Sequence, residues 1–371
     1  MRKNFLTVTL PICAAILIAG NWLTFGGSLT PPAGPVAGTM KPLSDIEPRT
    51  PISSLPYTIG QSGSYYLTGD LTGVAGQHGI TISANNVTLD LSGFGLIGVA
   101  GSLDGLHNQG PGGTAFNRIV VRNGTIRNWG GSGLMLYPTI EGDQNQFENL
   151  RIAFNGGYGL ISRTNAIVRG CTAANNGQDG FWLQQGSVIT ESIGAGNTGN
   201  GIVLSNGASA LNCSANGNTA NGIVASGCCG GNLVRNCTGY QNGQSGIVAQ
   251  LGSTVTDCVA KFNQAEGIYA ASNCLVTRNN CDRNQGAGIN VASTGSRIEE
   301  NHLTENFGGA VTILADVPGI NTRNLVIRNT TSGFGEFIIA PGNKYGPIVA
   351  PLIDDLSATP AASHPWANFK Y

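Results

Sequence analysis

From Gly159 onward the chain repeats one pattern of apolar and polar positions: a Gly, an apolar triplet, a variable stretch, an apolar residue, often Cys, a small residue, Asn, and then Gly again. The opening glycines are Gly159, Gly180, Gly201, Gly222, Gly246, Gly267 and Gly288, spaced by 21, 21, 21, 24, 21 and 21 residues, and the next unit opens at Ala310. Four residues before each unit start stands an asparagine: Asn155, Asn176, Asn197, Asn218, Asn242, Asn263, Asn284 and Asn306. Each unit contains two short alternating segments, such as Gly201-Ile202-Val203-Leu204 and Ala210-Leu211-Asn212-Cys213-Ser214-Ala215. Runs of four to six residues suit strands rather than helices.

A two-strand unit cannot cover its own apolar face, so the units must stack, each strand pairing in parallel with its counterpart about 4.8 Å away. The predicted fold class is all-β: a single-stranded, right-handed parallel β-helix, a solenoid with rungs of about 21 residues. The asparagine column is structural in this reading. An Asn at one turn position tolerates left-handed backbone angles and hydrogen-bonds the rungs above and below. Earlier coils follow with looser spacing at Gly79-Ile80-Thr81-Ile82, Val87-Thr88-Leu89-Asp90-Leu91, Ile119-Val120-Val121 with Gly124-Thr125-Ile126, and Gly133-Leu134-Met135-Leu136. The solenoid is thus expected over residues 57–340. Open rungs need covering, and the expected covers are Ser64-Tyr65-Tyr66-Leu67 for the first and the non-repeating tail 341–371 for the last.

Composition agrees: 56 glycines, 11% charged and 7% aromatic residues describe many tight turns and few long helices. A net charge of −1 removes the basic field that would attract nucleic acid or an anionic membrane surface. Arg2 and Lys3 followed by the apolar run Phe5 to Ala19 read as an export signal over residues 1–26, cleaved or retained as a membrane anchor. The expected location is secreted, periplasmic or at the cell surface, with the membrane touched only through that segment. Residues 27–56, with seven prolines, read as a linker.

Three further stretches carry a family likeness: Gly63-Ser64-Tyr65-Tyr66-Leu67-Thr68-Gly69-Asp70-Leu71, Asn86-Val87-Thr88-Leu89-Asp90-Leu91-Ser92-Gly93 and Pro365-Trp366-Ala367-Asn368-Phe369. With these the chain resembles the bacterial exported β-helix proteins of the pectin-lyase-like superfamily over roughly residues 48–371. The resemblance implies the fold. It leaves the activity open, since the superfamily holds lyases, glycoside hydrolases, epimerases and adhesins.

Candidate chemistry lies in columns. Cys171, Cys213, Cys237 and Cys258 share one column five residues before the ladder, with Ser192, Asn279 and Asn301 on the other rungs, and are expected to point inward with Cys281. Cys228, Cys229 and Cys274 lie in variable stretches where a surface disulfide is an option. Asp179 and Glu266 share a turn column but stand four rungs apart, about 19 Å, too far for a paired-carboxylate mechanism. Arg235, Asp257, Arg278 and Glu300 fall on successive rungs, with Lys261 beside Asp282 and Arg283 beside Glu305.

One reading of this charged patch is a salt-bridged face. The other is a polyuronide lyase in which Lys261 or Arg278 takes a proton α to a carboxylate, with Asp257 and Asp282 beside them. No acidic cluster suggests the calcium site of such lyases, so no cofactor or metal is expected, calcium entering only with the lyase reading. His78, His107, His302 and His364 stand outside any Gly-His-Gly stretch of the polygalacturonase type. The outward residues of the first strands, Ile161, Trp182, Val203, Val224, Val248 and Tyr269, form an apolar stripe. Trp182 and Tyr269 are candidates to stack on sugars, and Gln184, Gln250 and Asn290 to hydrogen-bond hydroxyls. The opposing reading is that the linker or the tail packs over the stripe. Two functions stay open: a monomeric, non-catalytic polysaccharide-binding protein, and a polysaccharide lyase or related enzyme.

Overall fold

The computed structural model describes residues 48–108, 116–136, 144–314, 322–350 and 356–371. The export segment and the linker up to residue 47 lie outside the described residues. Residues 49–371 form one unit. Parallel strands stack in it as about 13 coils, with almost no helix among the described residues. Among the described residues no helix is long and apolar enough to cross a membrane.

The unit read as two strands is in fact three. In one coil they are Ile202–Ser205, Ser209–Leu211 and Ser214–Asn216. The long second segment is cut at Asn212, whose φ of 56° is left-handed, and the same corner recurs at Glu191, Asn236, Asp257, Arg278, Glu300 and Arg328. A left-handed residue swings the chain direction without adding a loop. The pattern already held the mark of it: the buried residues run Ala210, Cys213, Ala215, so strict alternation skips a position at the corner.

First strands stack into a thirteen-stranded parallel sheet among the described residues, here called the first sheet. Its register is in line from coil to coil, Leu160 on Phe181, Phe181 on Ile202 and Ile202 on Ile223. Second and third strands stack into a larger sheet bent at the left-handed corners, with Ile189 on Ala210 and Gly194 on Ala215. Each coil therefore drops its inward residues onto those of the next. Phe181, Ile202, Ile223, Ile247, Ile268 and Ile289 make one such fully buried column.

The eight predicted asparagines are all buried and form a continuous chain of amides. From Asn155 to Asn284 each Nδ2 donates to the next Oδ1, as from Asn176 to Asn197 and from Asn197 to Asn218, both at 3.0 Å, and the backbone N–H of each of these residues donates to the same oxygen; Asn306 ends the chain. One expectation is corrected. The left-handed residue is not the ladder Asn but the one before it, including Phe154, Asn175, Gln241, Phe262, Arg283 and Glu305. The Asn itself must point inward, and the residue at the corner beside it takes the strained angle. The glycine column follows from the ladder. A Cβ on Gly180 or Gly222 would stand 2.7 Å from Nδ2 of Asn197 or Asn242 and about as close to the next rung's carbonyl.

Cys171, Cys213, Cys237, Cys258 and Cys281 point inward as expected. Burial pushes the Cys171 thiol up to about 11, so it packs as a small apolar group and does not react. Cys274 is also buried, contrary to its placement with a surface pair. Only Cys228 and Cys229 are exposed, with Sγ atoms 3.0 Å apart, and all eight cysteines among the described residues are free thiols.

Regular structure extends past both expected limits. Thr50–Ile52, assigned to the linker, pairs with Gly63–Leu67, and Ile52 is fully buried, so the stretch expected to cover the first rung is itself covered. At the other end Lys344–Tyr345 pairs with Leu325–Ile327, and Asn368–Lys370 with Thr330–Ser332. Asn279, Asn301, Asn329 and Asn368 form a second amide ladder in the continuation of the cysteine column. A proline-rich segment can join a sheet where its end rung needs only a few hydrogen bonds.

Replacing Asn197 by Ala strands the N–H and Nδ2 of Asn176 without their acceptor in the core. We expect a loss of about 2–4 kcal/mol, read as a lower urea midpoint, whereas Gln185→Ala on the surface should leave the midpoint unchanged.

Candidate functional site

The outward side of the first sheet carries one residue per rung. In register along it stand His107, Met135, Ile161, Trp182, Val203, Val224, Val248, Tyr269, Asn290 and Thr312. The apolar stripe is narrower than the sequence suggests. Ile161 and Val203 are buried, while Trp182, Val224, Val248 and Tyr269 stay half-exposed. Gln184 is half-buried and Gln250 exposed beside this column. Asn290 donates one N–H of its amide to Glu266 at 3.2 Å. Tyr158, which the sequence reading passed over, stands at the turn of the preceding rung with its ring 5.2 Å from Trp182 and tilted by 45°. The described strands of the tail join the larger sheet rather than pairing on the first sheet.

Asp179 and Glu266 belong to a short polar ladder at the entry to these strands. Asn200 donates its N–H and Nδ2 to Asp179, Asn221 donates to Asn200, and Ser245 donates its hydroxyl to Glu266.

At the N-terminal end of the same face lies a cluster that the sequence reading left scattered. Oδ2 of Asp104 is 3.3 Å from Nδ1 of His78 and 3.0 Å from Nδ1 of His107, and the two imidazoles stack at 4.0 Å. The three side chains are 27%, 13% and 18% exposed, accessible but sheltered. Burial, then the neighbouring His107, pushes His78 below its ordinary value, against the pull of Asp104. Among the described residues this is the one convergent group of three or more His, Cys, Asp or Glu side chains. The only signal in the sequence was positional: His78 and Asp104 each precede the Gly that opens a coil, and His107 is the outward residue of the strand after Gly105.

The four lyase candidates lie elsewhere, all on the larger sheet or at its corners. Arg278 holds Asp257 by two contacts of 2.8 and 3.0 Å, and Lys261 reaches Asp282 at 2.6 Å. Arg283 pairs with Glu305, and Arg328 bridges Glu299 and Glu300. Asp257, Arg278 and Glu300 are corner residues with left-handed φ, not strand positions. Arg235 is out of line with them. It pairs in register with Leu211 and Thr256, and the corner on its rung is Asn236. Each cation that was to act as a base already neutralises a carboxylate, as the salt-bridged reading expects.

Stacked, in-register coils with buried Asn ladders point to one family. The family model described as right handed beta helix region matches residues 73–232 and again 188–331, together well over half of the chain. The chain belongs to the right-handed β-helix family. No curated protein matches it. Among solved structures this β-helix protein is similar to the A-module of the Azotobacter vinelandii mannuronan C-5 epimerase AlgE6, with a TM-score of 0.65, 19% identity, and 76% of this chain and 89% of that one covered. The A-module of AlgE4 from the same organism gives a TM-score of 0.61 at 15% identity over 76% and 91% of the chains. The catalytic domain of a GH87 alpha-1,3-glucanase, in complex with tetrasaccharides, gives 0.53 at 12% identity over 80% and 63%. At these identities the likeness is one of fold, and the pectin-lyase-like superfamily fits it.

The charge ladder makes a pH prediction. Its Arg278 hydrogen bonds hold Asp257 below the usual carboxylate range. Burial pushes Asp282 and Glu299 up, but Lys261 with Thr304, and Arg297 with Arg328, outweigh it and bring both below the usual range. Groups with depressed folded-state values give their full stabilisation above the unfolded value, about 4, and lose it as pH falls through the folded value. The melting temperature should therefore drop on acidification below about pH 4. Lys261→Met should shrink that drop and cost less than about 1 kcal/mol at pH 7, as a surface pair does.

Proposed function

We propose that this β-helix protein binds a polysaccharide lengthwise along the outward face of its first sheet, as an exported, monomeric carbohydrate-binding protein. The observation that carries this reading is the ring pair of Tyr158 and Trp182, followed on the same face by Val224, Val248 and Tyr269. Sugar rings offer apolar faces that stack on aromatic side chains, and their hydroxyls need polar neighbours, here Gln184 and Gln250 beside the column. From Trp182 to Tyr269 the column runs four rungs, about 19 Å, which suits a chain rather than a single sugar. The fold supports the reading to the extent that solved polysaccharide-acting enzymes share it.

A second reading, a carbohydrate-active enzyme, is favoured by one observation. The cluster of His78, Asp104 and His107 lies on this same face, three rungs or about 14 Å from Trp182. An imidazole oriented by a carboxylate can take a proton from a bound sugar. The lyase variant centred on Lys261 or Arg278 has no such support, because both are ion-paired.

Affinity electrophoresis through gels holding pectate, alginate or α-1,3-glucan tests the binding reading. The wild type should be retarded by at least one polymer, and Trp182→Ala should bind it about five- to tenfold more weakly, the equivalent of one aromatic stack, at unchanged melting temperature. Retardation by none of them, or a Trp182→Ala variant that loses stability but keeps its retention, would overturn it. Release or conversion of sugar from any of these polymers, abolished by His107→Ala and kept in Lys261→Ala, would put the enzyme reading first.

A further inference from the structure

We infer that His78, Asp104 and His107 form a binding site for a divalent transition-metal cation of the zinc type. Two nitrogens and one carboxylate oxygen are donors that suit zinc and its neighbours, not calcium, which takes six to eight oxygens. The donor atoms all lie within 4.8 Å of one another. Two of the three separations, 3.3 and 3.0 Å, are already close to the edge of about 3.3 Å of a tetrahedron whose metal–ligand distance is about 2.0–2.1 Å. The third separation lies within the same 4.8 Å, and the two stacked rings, 22° from parallel, must tilt apart for both nitrogen lone pairs to point at one ion.

The hydrogen bonding argues for a cation. The backbone N–H of Asp104 donates to Nδ1 of His78 at 3.2 Å, so that nitrogen presents a lone pair and carries no proton. The same nitrogen faces Oδ2 of Asp104 at 3.3 Å. Two lone pairs opposed at that distance repel, and a cation between them turns the repulsion into two bonds.

The surroundings hold the donors in place. The backbone N–H of Ser132 donates to Oδ1 of Asp104 at 2.7 Å, which leaves Oδ2 to the two histidines and orients it as an outer-shell partner would. Beneath the cluster Trp129 is buried and donates Nε1–H to the Leu96 carbonyl. Gly79 and Gly105, which follow His78 and Asp104, leave room for that ring: a Cβ on either would come within 3 Å of it. Three protein donors leave a fourth position open toward solvent, as in catalytic zinc sites rather than closed structural ones. The site stands whether or not the neighbouring face binds a polymer.

The test uses the full chain with Cys228 and Cys229 replaced by Ser, because that exposed thiol pair would bind soft metals by itself. After chelation and dialysis, zinc is titrated by calorimetry and cobalt by visible absorption. The expected result is one equivalent of each, with a cobalt spectrum of nitrogen and oxygen ligation free of thiolate charge transfer. His78→Gln, Asp104→Asn and His107→Gln should each weaken binding by more than the ten- to hundredfold that losing an outer-shell partner costs. Absence of a bound equivalent in the thiol-free protein overturns the site, and so does full retention of binding by all three variants. Should a variant fail to fold, X-ray absorption of the cobalt-loaded parent decides, since a first shell without imidazole overturns the assignment equally.

Discussion

The amide chain running up the inside of the solenoid is the constraint on which the rest of this structure depends. At each inward corner a strand ends and its N–H is buried, and a buried donor without a partner costs more than one hydrogen bond contributes. The Asn of the next coil supplies the oxygen, and its own nitrogen is satisfied by a carbonyl and by the coil beyond. This works only when coils superpose, so the ladder sets the register of every strand at once. It also dictates the glycines, whose missing Cβ is the space into which the next amide fits. One repeated hydrogen bond thus explains two of the three strictest columns of the sequence, and the cysteine column fills the remaining inward corner with small side chains that accept from or pack on their neighbours.

Register has a functional consequence. In a solenoid each coil touches only its neighbours, so a surface site is assembled from residues one coil apart in sequence. His78 and Asp104 are brought within bonding distance by a single rung, as are Tyr158 and Trp182. Such pairs carry no local spacing motif. Their spacing is that of the coil, and in the earlier coils the coil is not 21 residues long.

Charge obeys the same geometry with the opposite outcome. The residues that stand out most in the sequence, Lys261, Asp257, Arg278 and Asp282, sit where rung spacing places opposite charges beside each other, and they neutralise one another. Two of them, Asp257 and Arg278, occupy left-handed corners at which Asn stands in other coils. A corner side chain projects away from the body and can reach the next corner, so opposite charges there join neighbouring coils by charged hydrogen bonds, as from Arg278 to Asp257, where Asn does it by an amide bond, as from Asn236 to Asn212. The face that looks chemically quieter, that of the first sheet, is the one that gathers aromatic rings and two histidines.

The repeat, the inward asparagines and cysteines and the outward column with Trp182 and Tyr269 were all legible in the sequence, because each is a periodic consequence of burying one face of a short strand. The third strand was not read, since the corner at Asn212 breaks alternation by a single residue inside what looks like one segment. Thr50–Ile52 was hidden by its proline, and the bond from Asn290 to Glu266, a coil earlier, left no mark in the spacing. Sequence alone determined the architecture, because burial periodicity and the Asn–Gly spacing admit one way of stacking. Only the tertiary structure decided the sites: whether two side chains at 26- or 24-residue separation oppose, pair or diverge depends on corner angles and loop lengths that set the superposition of coils, and those leave no periodic trace.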